Sequence, residues 1–212
     1  MESKIIKLKN NTEFYYKKNE NTPRVALCLN FSIEEPEKGA GIQALMARLF
    51  MQGTKTRSAQ QLAEELDAYA IEFSSELKQD YLSFRFVCLN EDFSKALEIM
   101  TDIIKNSTFD DFEKELAKMT GEIVAELDSP RGKVSDAYYK TMFENHHYGN
   151  TYTKILENAE NIKKQDVLDA YNSILNDSRK ILAFVGDLDI EEILPQIEEK
   201  LCLLYTSDAA DD

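Results

Sequence analysis

The residue types that catalyse most enzyme reactions are sparse in this chain. Its two histidines, His146 and His147, are adjacent and lie in a segment that we predict to be a loop. Three cysteines, Cys28, Cys88 and Cys202, show no paired spacing, and the first two lie within apolar runs typical of strands. Cysteines in such runs usually act as small buried hydrophobic residues. The chain therefore offers no Ser/His/Asp or Cys/His set, and we expect a reducing, cytoplasmic location.

The charge of the chain limits the classes of partner. It has 25 basic and 39 acidic side chains among 212 residues, a formal net charge of −14. Such a surface repels phosphate backbones and anionic lipids, so we expect neither nucleic acid nor membrane as a partner. No apolar run approaches the roughly 18 residues that a membrane span needs. The first seven residues lack the apolar segment of a secretory signal.

Hydrophobic periodicity predicts an α+β domain, with a mostly antiparallel sheet covered by helices. Residues 9–11 form a hairpin turn, because asparagine tolerates positive φ. A spacing of apolar residues typical of a helix begins at Ile42. Ser58 and Gln61 form a capping box for the next helix, and Pro130 ends a later helix. We predict strands at 4–8, 12–17, 24–33, 71–77, 81–89 and 180–185, and helices at 42–50, 58–66, 93–104, 109–127, 134–143, 166–175 and from about 190.

The end of the chain differs in character from the rest. Residues 202–212 resemble the translated sequencing-adapter read-through found at the ends of some metagenomic reading frames. We therefore expect one domain over residues 1–201, interrupted before a second domain, followed by a non-native tail over 202–212. The alternative is a natural, disordered acidic tail.

Residues 41–54 carry the most specific pattern in the chain, a leading glycine, an amphipathic helix and a closing Phe-x-x-Gly-Thr. The segment resembles the signature helix of the insulinase/pitrilysin metallopeptidase family, whose active members carry H-x-x-E-H there. The resemblance implies an insulinase-like half-shell domain, one half of a clam-shell that encloses peptides. Further fragments with counterparts in the family follow in matching order, at 8–11, 56–59, 80–81, 89–93, 109, 121–123, 128–130, 146–149 and 185–187.

The resemblance places the zinc-motif positions at Ala44, Ala47 and Arg48, with helical spacing i, i+3 and i+4. We expect all three on the helix face opposite the apolar stripe. In active relatives the two histidines bind Zn²⁺ and the glutamate activates the metal-bound water. Alanine has no lone pair for a metal, and a guanidinium neither deprotonates nor tolerates a dication. The resemblance therefore implies no catalytic residue here and no metal cofactor in this chain.

The resemblance also assigns the third metal ligand of active relatives to Glu122, and an accompanying acidic residue to Glu115, two helical turns earlier. One carboxylate does not hold zinc, and His146 and His147 are not ligands at the matching site of the family. We predict that Arg48 fills the vacant metal position and pairs with Glu122, with Glu115 as a second partner. The alternative is that Arg48 points into solvent and Glu122 is an ordinary surface carboxylate.

Ser74 and Ser75 match the Asn-Ala pair with which active relatives align a peptide substrate along a strand. Both lie in the predicted strand 71–77. The strand itself persists, so we expect an extended peptide to add to this edge by β-augmentation, without the asparagine contact.

The resemblance therefore implies a non-catalytic subunit of an insulinase-like zinc metallopeptidase. In this interpretation the chain forms a heterodimer with an active insulinase-like peptidase subunit and contributes to its peptide-binding chamber, in the service of proteolysis. One alternative is a structural scaffold subunit without a peptidase partner. Another is an active zinc metalloendopeptidase, which the loss of three of four key residues opposes.

Overall fold

The structure is a computed structural model that describes residues 3–33 and 37–201. Its strands are β1 (Ser3–Lys7), β2 (Glu13–Lys18), β3 (Arg24–Ser32), β4 (Glu72–Leu77), β5 (Tyr81–Leu89) and β6 (Lys180–Gly186). Its helices are α1 (Ile42–Leu49), α2 (Ala59–Ala68), α3 (Phe93–Asn106), α4 (Phe112–Asp128), α5 (Pro130–Met142), α6 (Tyr152–Asn158), α7 (Lys164–Asp177) and α8 (Ile190–Leu201). None of these helices is long and apolar enough to cross a bilayer. The predicted tail, 202–212, and part of the predicted loop, 34–36, lie outside the described residues.

The strands form one six-stranded sheet in the order β1-β2-β6-β3-β5-β4. Every neighbouring pair is antiparallel except β2 and β6, which run parallel. Side chains alternate between the two faces of a strand, and in β3 Val25, Leu27, Leu29 and Phe31 are buried while the residues between them stay partly exposed. The predicted α+β class and mostly antiparallel sheet are therefore confirmed.

The apolar stripe of α1 attaches this helix to the core. Its members Ile42, Leu45, Met46 and Leu49 are buried, as is Phe50 after the helix. The ring of Phe50 meets the β5 ring of Phe84 edge-on at 4.7 Å between centroids. Burial of one large apolar side chain contributes about 1.5–3 kcal/mol. This stripe therefore fixes how α1 is rotated about its axis.

Two predicted helix boundaries were wrong, and the backbone explains both. The helix expected from Phe109 begins at Phe112, because Phe109 has a left-handed φ of +54° that a helix does not tolerate. The helix expected from residue 134 begins at Pro130. There Ser129 is the N-cap, its side chain accepts a hydrogen bond from the amide of Gly132, and proline occupies the first helical position. Pro130 thus opens α5 as well as following the end of α4.

The capping box of α2 at Ser58 and Gln61 is confirmed.

The short helix α6 was not predicted. With seven residues, α6 is too short to display a hydrophobic period. Its first turn depends on the α5 carboxylate of Asp136, which accepts hydrogen bonds from the Thr153 amide (3.1 Å) and hydroxyl (2.6 Å). The N-cap of α6 is Thr151, whose side chain accepts a hydrogen bond from the Lys154 amide, and the contact with Asp136 of α5 also stabilises its first turn.

The two described cysteines differ in environment. Cys88 is buried in β5, and burial raises the pKa of its thiol to about 12, so the prediction of a small buried residue is confirmed. The same prediction was wrong for Cys28, which is half-buried. Its side chain points to the sheet face opposite the core, with Sγ 3.4 Å from the hydroxyl of Ser83 and 3.6 Å from Oδ1 of Asn30.

A buried ionic cluster joins the start of α2 to α3. Arg57, with 14% of its side chain exposed, donates to Glu65 at 3.0 Å, to Asp102 at 2.8 Å and to Glu98. Asp102 is 8% exposed and also accepts from two threonine hydroxyls. Burial opposes its ionised form, but these hydrogen bonds outweigh burial and lower the pKa of Asp102. The cluster therefore keeps a charged carboxylate stable inside the domain.

We expect Arg57→Met to reduce the free energy of unfolding by about 3 kcal/mol, because it leaves Asp102 buried without its cation. Urea unfolding at neutral pH measures the change. The control is Arg131→Met on the exposed surface of α5, which we expect to alter stability by less than about 0.5 kcal/mol. Equal effects of the two substitutions would contradict a stabilising role for the cluster.

Candidate functional site

Helix α1 presents its three zinc-motif positions to a cavity. Ala44, Ala47 and Arg48 line a space of about 470 Å³. None of the apolar-stripe residues lines this cavity, so the three positions lie on the other face of α1 as expected, although Ala47 is only 7% exposed and Ala44 also packs against the core. The reason is that neighbouring elements enclose α1 on more than one side. The other lining residues come from β4, α4 and α6, and are Ser75, Leu77, Met119, Glu122, Ile123, Glu126, Tyr152 and Ile155.

The guanidinium of Arg48 lies between two carboxylates of α4. Its Nη1 is 3.0 Å from Glu122 Oε2 and its Nη2 is 3.1 Å from Oε1, a two-pronged contact. Its Nε is 3.4 Å from Oε2 of Glu115, whose side chain is only 4% exposed. The prediction that Arg48 pairs with both glutamates is confirmed, and the alternative of an arginine free in solvent is wrong.

This pairing controls the charge state of the site. The hydrogen bond from Arg48 lowers the pKa of Glu122, because it stabilises the ionised carboxylate. A two-pronged arginine–carboxylate contact is also directional, since the planar guanidinium matches the two oxygens. At neutral pH the site therefore holds the guanidinium of Arg48 bound to the ionised carboxylate of Glu122. Its lining has no pair of imidazole nitrogens that could bind a metal.

The side chains at this position do not fit a zinc ion. Zinc in proteins takes three or four ligands from histidine, cysteine and carboxylate side chains, and the candidates here are the α4 carboxylates Glu115, Glu122 and Glu126. Arg48 binds Glu115 and Glu122, and the cavity lining contains no histidine or cysteine to join Glu126. His147 lines the neighbouring cavity instead, where its Nε2 is 3.8 Å from Oδ1 of Asp80. Within residues 3–33 and 37–201, no three His, Cys, Asp or Glu side chains have the geometry of a metal site.

Strand β4 borders the cavity and is an edge of the sheet. It pairs with β5 on one side, and no other described strand pairs with it. Ser75 faces the cavity and its hydroxyl donates to the carbonyl oxygen of Ala47 at 3.3 Å, tying β4 to α1. Ser74 points to the opposite face of the sheet, across from Arg85. The structure therefore brings only Ser75 of the predicted pair to the cavity.

A second cavity of about 530 Å³ adjoins the first. The two share four wall residues, Ala44, Leu77, Tyr152 and Ile155, so they form one continuous depression beside β4, here named the β4 groove. The second cavity also has aromatic walls from Tyr139 and Tyr148. Extended peptides are commonly bound by strand addition at exposed sheet edges.

Sequence reasoning missed Glu37, which holds the start of α1. Its carboxylate accepts hydrogen bonds from the amides of Gly41 (3.0 Å) and Gln43 (2.9 Å) and from the side chain of Asn150 (3.0 Å). Burial raises the pKa of Glu37 despite these bonds. An acidic residue shortly before a helix start was the available signal, since carboxylates stabilise helix N-termini. Tyr152 of α6 was missed because α6 itself was not predicted.

Comparisons with known proteins identify relatives of this chain. The model of the insulinase family (peptidase family M16) matches residues 14–154. A zinc protease of Rickettsia bellii, itself uncharacterised, is 28% identical over 160 residues, which cover 74% of this chain and 39% of that protein. The chain thus spans about two fifths of the length of this relative.

Two solved structures share the fold. A protease from Helicobacter pylori superposes with a TM-score of 0.88 at 17% identity, over 99% of this chain and 52% of that one. A peptidase M16 inactive domain from Pseudomonas fluorescens superposes with a TM-score of 0.81 at 15% identity, over 100% of this chain and 53% of that one. At such identities the superpositions establish the fold alone. The family model that matches residues 14–154, more than half of the chain, shows that this chain belongs to the insulinase (M16) family of peptidases.

Proposed function

We propose that this chain is a non-catalytic member of the insulinase family that binds peptides for an active partner subunit. The observation that carries the proposal is the contact of Arg48 with Glu122 and Glu115. An arginine at this position supplies one fixed positive charge where a metal would supply two and an activated water. The family relative described as an inactive domain has the same fold, which supports a non-catalytic role.

In this proposal the domain over residues 1–201 contributes one half-shell to a peptide-binding chamber. The β4 groove supplies the contact surface, and the free edge of β4 supplies backbone hydrogen bonds to an extended peptide. The partner supplies the intact H-x-x-E-H motif, the zinc ion and the hydrolytic step. This chain therefore orients the peptide and carries no step of the hydrolysis itself.

The proposal includes a cytoplasmic location. Its support is chemical, because Cys28 and Cys88 are both free thiols, which reducing compartments maintain. Cys28 of β3 lies opposite Arg85 of β5, and Cys88 of β5 lies opposite Val25 of β3, so the two cysteines are not neighbours across the strand pair.

We expect the purified chain to leave peptides uncleaved, and a mixture with an insulinase-like subunit that retains H-x-x-E-H to cleave them. The measurement is hydrolysis of a quenched fluorescent peptide, with and without a zinc chelator. The control mixture contains the partner with its motif glutamate changed to glutamine. Chelator-sensitive cleavage by the chain alone would overturn the proposal, and a stable but inert complex would favour the scaffold alternative.

Rebuilding the motif tests whether the lost groups alone explain the loss of metal chemistry. We expect the triple variant Ala44→His, Ala47→Glu, Arg48→His to bind about one zinc ion per chain, with Glu122 as the third ligand. The native chain should retain none after dialysis, as measured by elemental analysis. Adding Glu122→Gln to the triple variant should abolish the gain. Tight stoichiometric zinc on the native chain would contradict our interpretation.

We expect Arg48→Met to lower the free energy of unfolding by roughly 2 kcal/mol, because buried Glu115 loses its guanidinium. The pKa of Glu122 is lowered in the folded chain. The contribution of Glu122 to the free energy of unfolding is therefore fully present above its ordinary pKa, and it is lost as the pH falls through the lowered pKa of the folded state. The variant should therefore lose less stability on acidification. Chemical unfolding at several pH values measures both effects, and an unchanged acid dependence would contradict the pairing.

A further inference from the structure

The outer side of helix α5 carries large apolar side chains that face solvent. Val134 is 70% exposed, Tyr138 is 53% exposed and Met142 is 61% exposed. Together with Arg131 they occupy positions i, i+3, i+7 and i+11, which lie on one side of a helix. These four residues are here named the α5 face. A surface helix usually turns such a stripe toward the core, whereas α5 turns this one away from it.

The opposite side of α5 attaches the helix to the domain. The buried carboxylate of Asp136 binds the amide and the hydroxyl of Thr153 in α6. Ser135 and Tyr139 line the second cavity of the β4 groove. The ring of Tyr138 meets the ring of Tyr139 edge-on at 5.4 Å between centroids, which restricts its orientation. The α5 face therefore lies on an anchored helix that borders the groove.

The charge of α5 is opposite in sign to that of the whole chain. Arg131, Lys133 and Lys140 are exposed, and the single acidic side chain of the helix is the buried Asp136. Within residues 3–33 and 37–201, no carboxylate lies within 4.0 Å of these three cations, the distance that defines an ion pair. The formal charge of the chain is nevertheless −14. The α5 face is thus an apolar patch with unpaired positive charge on an acidic protein.

Charge distinguishes between three kinds of occupant for this face. Pairing of α5 with the α5 of a second copy brings the same three cations together, and like-charge repulsion opposes this. An anionic membrane is repelled by the acidic remainder of the chain. A partner protein whose surface has an apolar centre and an acidic border complements both the exposed apolar side chains and the cations.

We infer that the α5 face is the docking surface for the active partner subunit, which covers the face with apolar side chains and pairs its cations with carboxylates. Tyrosine and arginine, both present here, are the residue types enriched among those that dominate binding energy at protein interfaces. The other side of α5 lines the β4 groove, so a subunit docked here lies next to a peptide in the groove. The inference rests on the proposed heterodimer and adds the surface through which it forms.

The test measures the Kd between the full chain and the H-x-x-E-H subunit with which it cleaves peptides in the assay above, by isothermal titration calorimetry. We expect Tyr138→Ala to weaken binding about tenfold or more, because it removes a central aromatic contact. The matched control is Tyr69→Ala, at a 41% exposed tyrosine after α2, which should leave the Kd unchanged. Circular dichroism establishes that both variants are folded.

A pair of double variants tests the charges. Lys133→Glu with Lys140→Glu should weaken binding about tenfold at about 50 mM salt, and the loss should shrink at about 300 mM because exposed charges are screened. The control is Lys4→Glu with Lys7→Glu, which makes the same change in net charge at exposed positions of β1. It should alter the Kd by less than about twofold.

The outcomes separate the inference from the proposal beneath it. A native Kd for both Tyr138→Ala and the α5 double variant would overturn the docking surface while the heterodimer stands. If the native chain binds no such subunit, the proposed function fails and the inference fails with it. Two other results would also overturn the inference by giving the face another occupant, namely self-association in sedimentation velocity or binding to phosphatidylglycerol vesicles, if Tyr138→Ala removes it.

Discussion

The contact between Arg48 and the two carboxylates of α4 is the constraint on which the site depends. Glu115 and Glu122 are separated by two turns, so both face α1, and Glu115 is almost completely buried. A carboxylate in that position requires a cation nearby, since an unpaired buried charge is severely destabilising. Arginine meets the requirement from the α1 side with one group that reaches both partners. The relative position of α1 and α4 is therefore maintained by charge as well as by packing.

Shape and chemistry have separate physical causes in this domain. The orientation of α1 follows from its apolar stripe, from Glu37 at its start and from the Ser75 hydroxyl on its Ala47 carbonyl. None of these contacts uses a side chain of the zinc-motif positions. The fold can therefore be kept with different residues at those positions, although Arg48 also binds α1 to α4 through Glu115 and Glu122. Fold alone accordingly does not assign function.

The β4 groove is present although the zinc-motif positions of α1 carry no metal-binding side chain. Strand β4 is an edge because of the strand order of the sheet, and the cavity walls come from β4, α4 and α6. These elements are positioned by a core of buried rings and aliphatic side chains, to which Met119, Ile123 and Ile155 of the cavity walls also belong. The groove therefore depends on the strand order of the sheet and on the packing of these elements.

The sequence by itself determined the fold class, most strand positions and the amphipathic rotation of α1, since these follow from local periodicity. The pairing of Arg48 with Glu122 was predicted through the resemblance to the insulinase family, which matches both positions. The tertiary structure decided what depends on contacts between distant segments. In the tertiary structure, Ser74 and Ser75 lie on opposite faces of β4 and Cys28 is partly exposed. Helix α4 begins after Phe109, which has a left-handed φ, and the carboxylate of Asp136 stabilises the first turn of α6. The tertiary structure also joined two cavities through Tyr152, because only packing brings α6 beside α1 and β4.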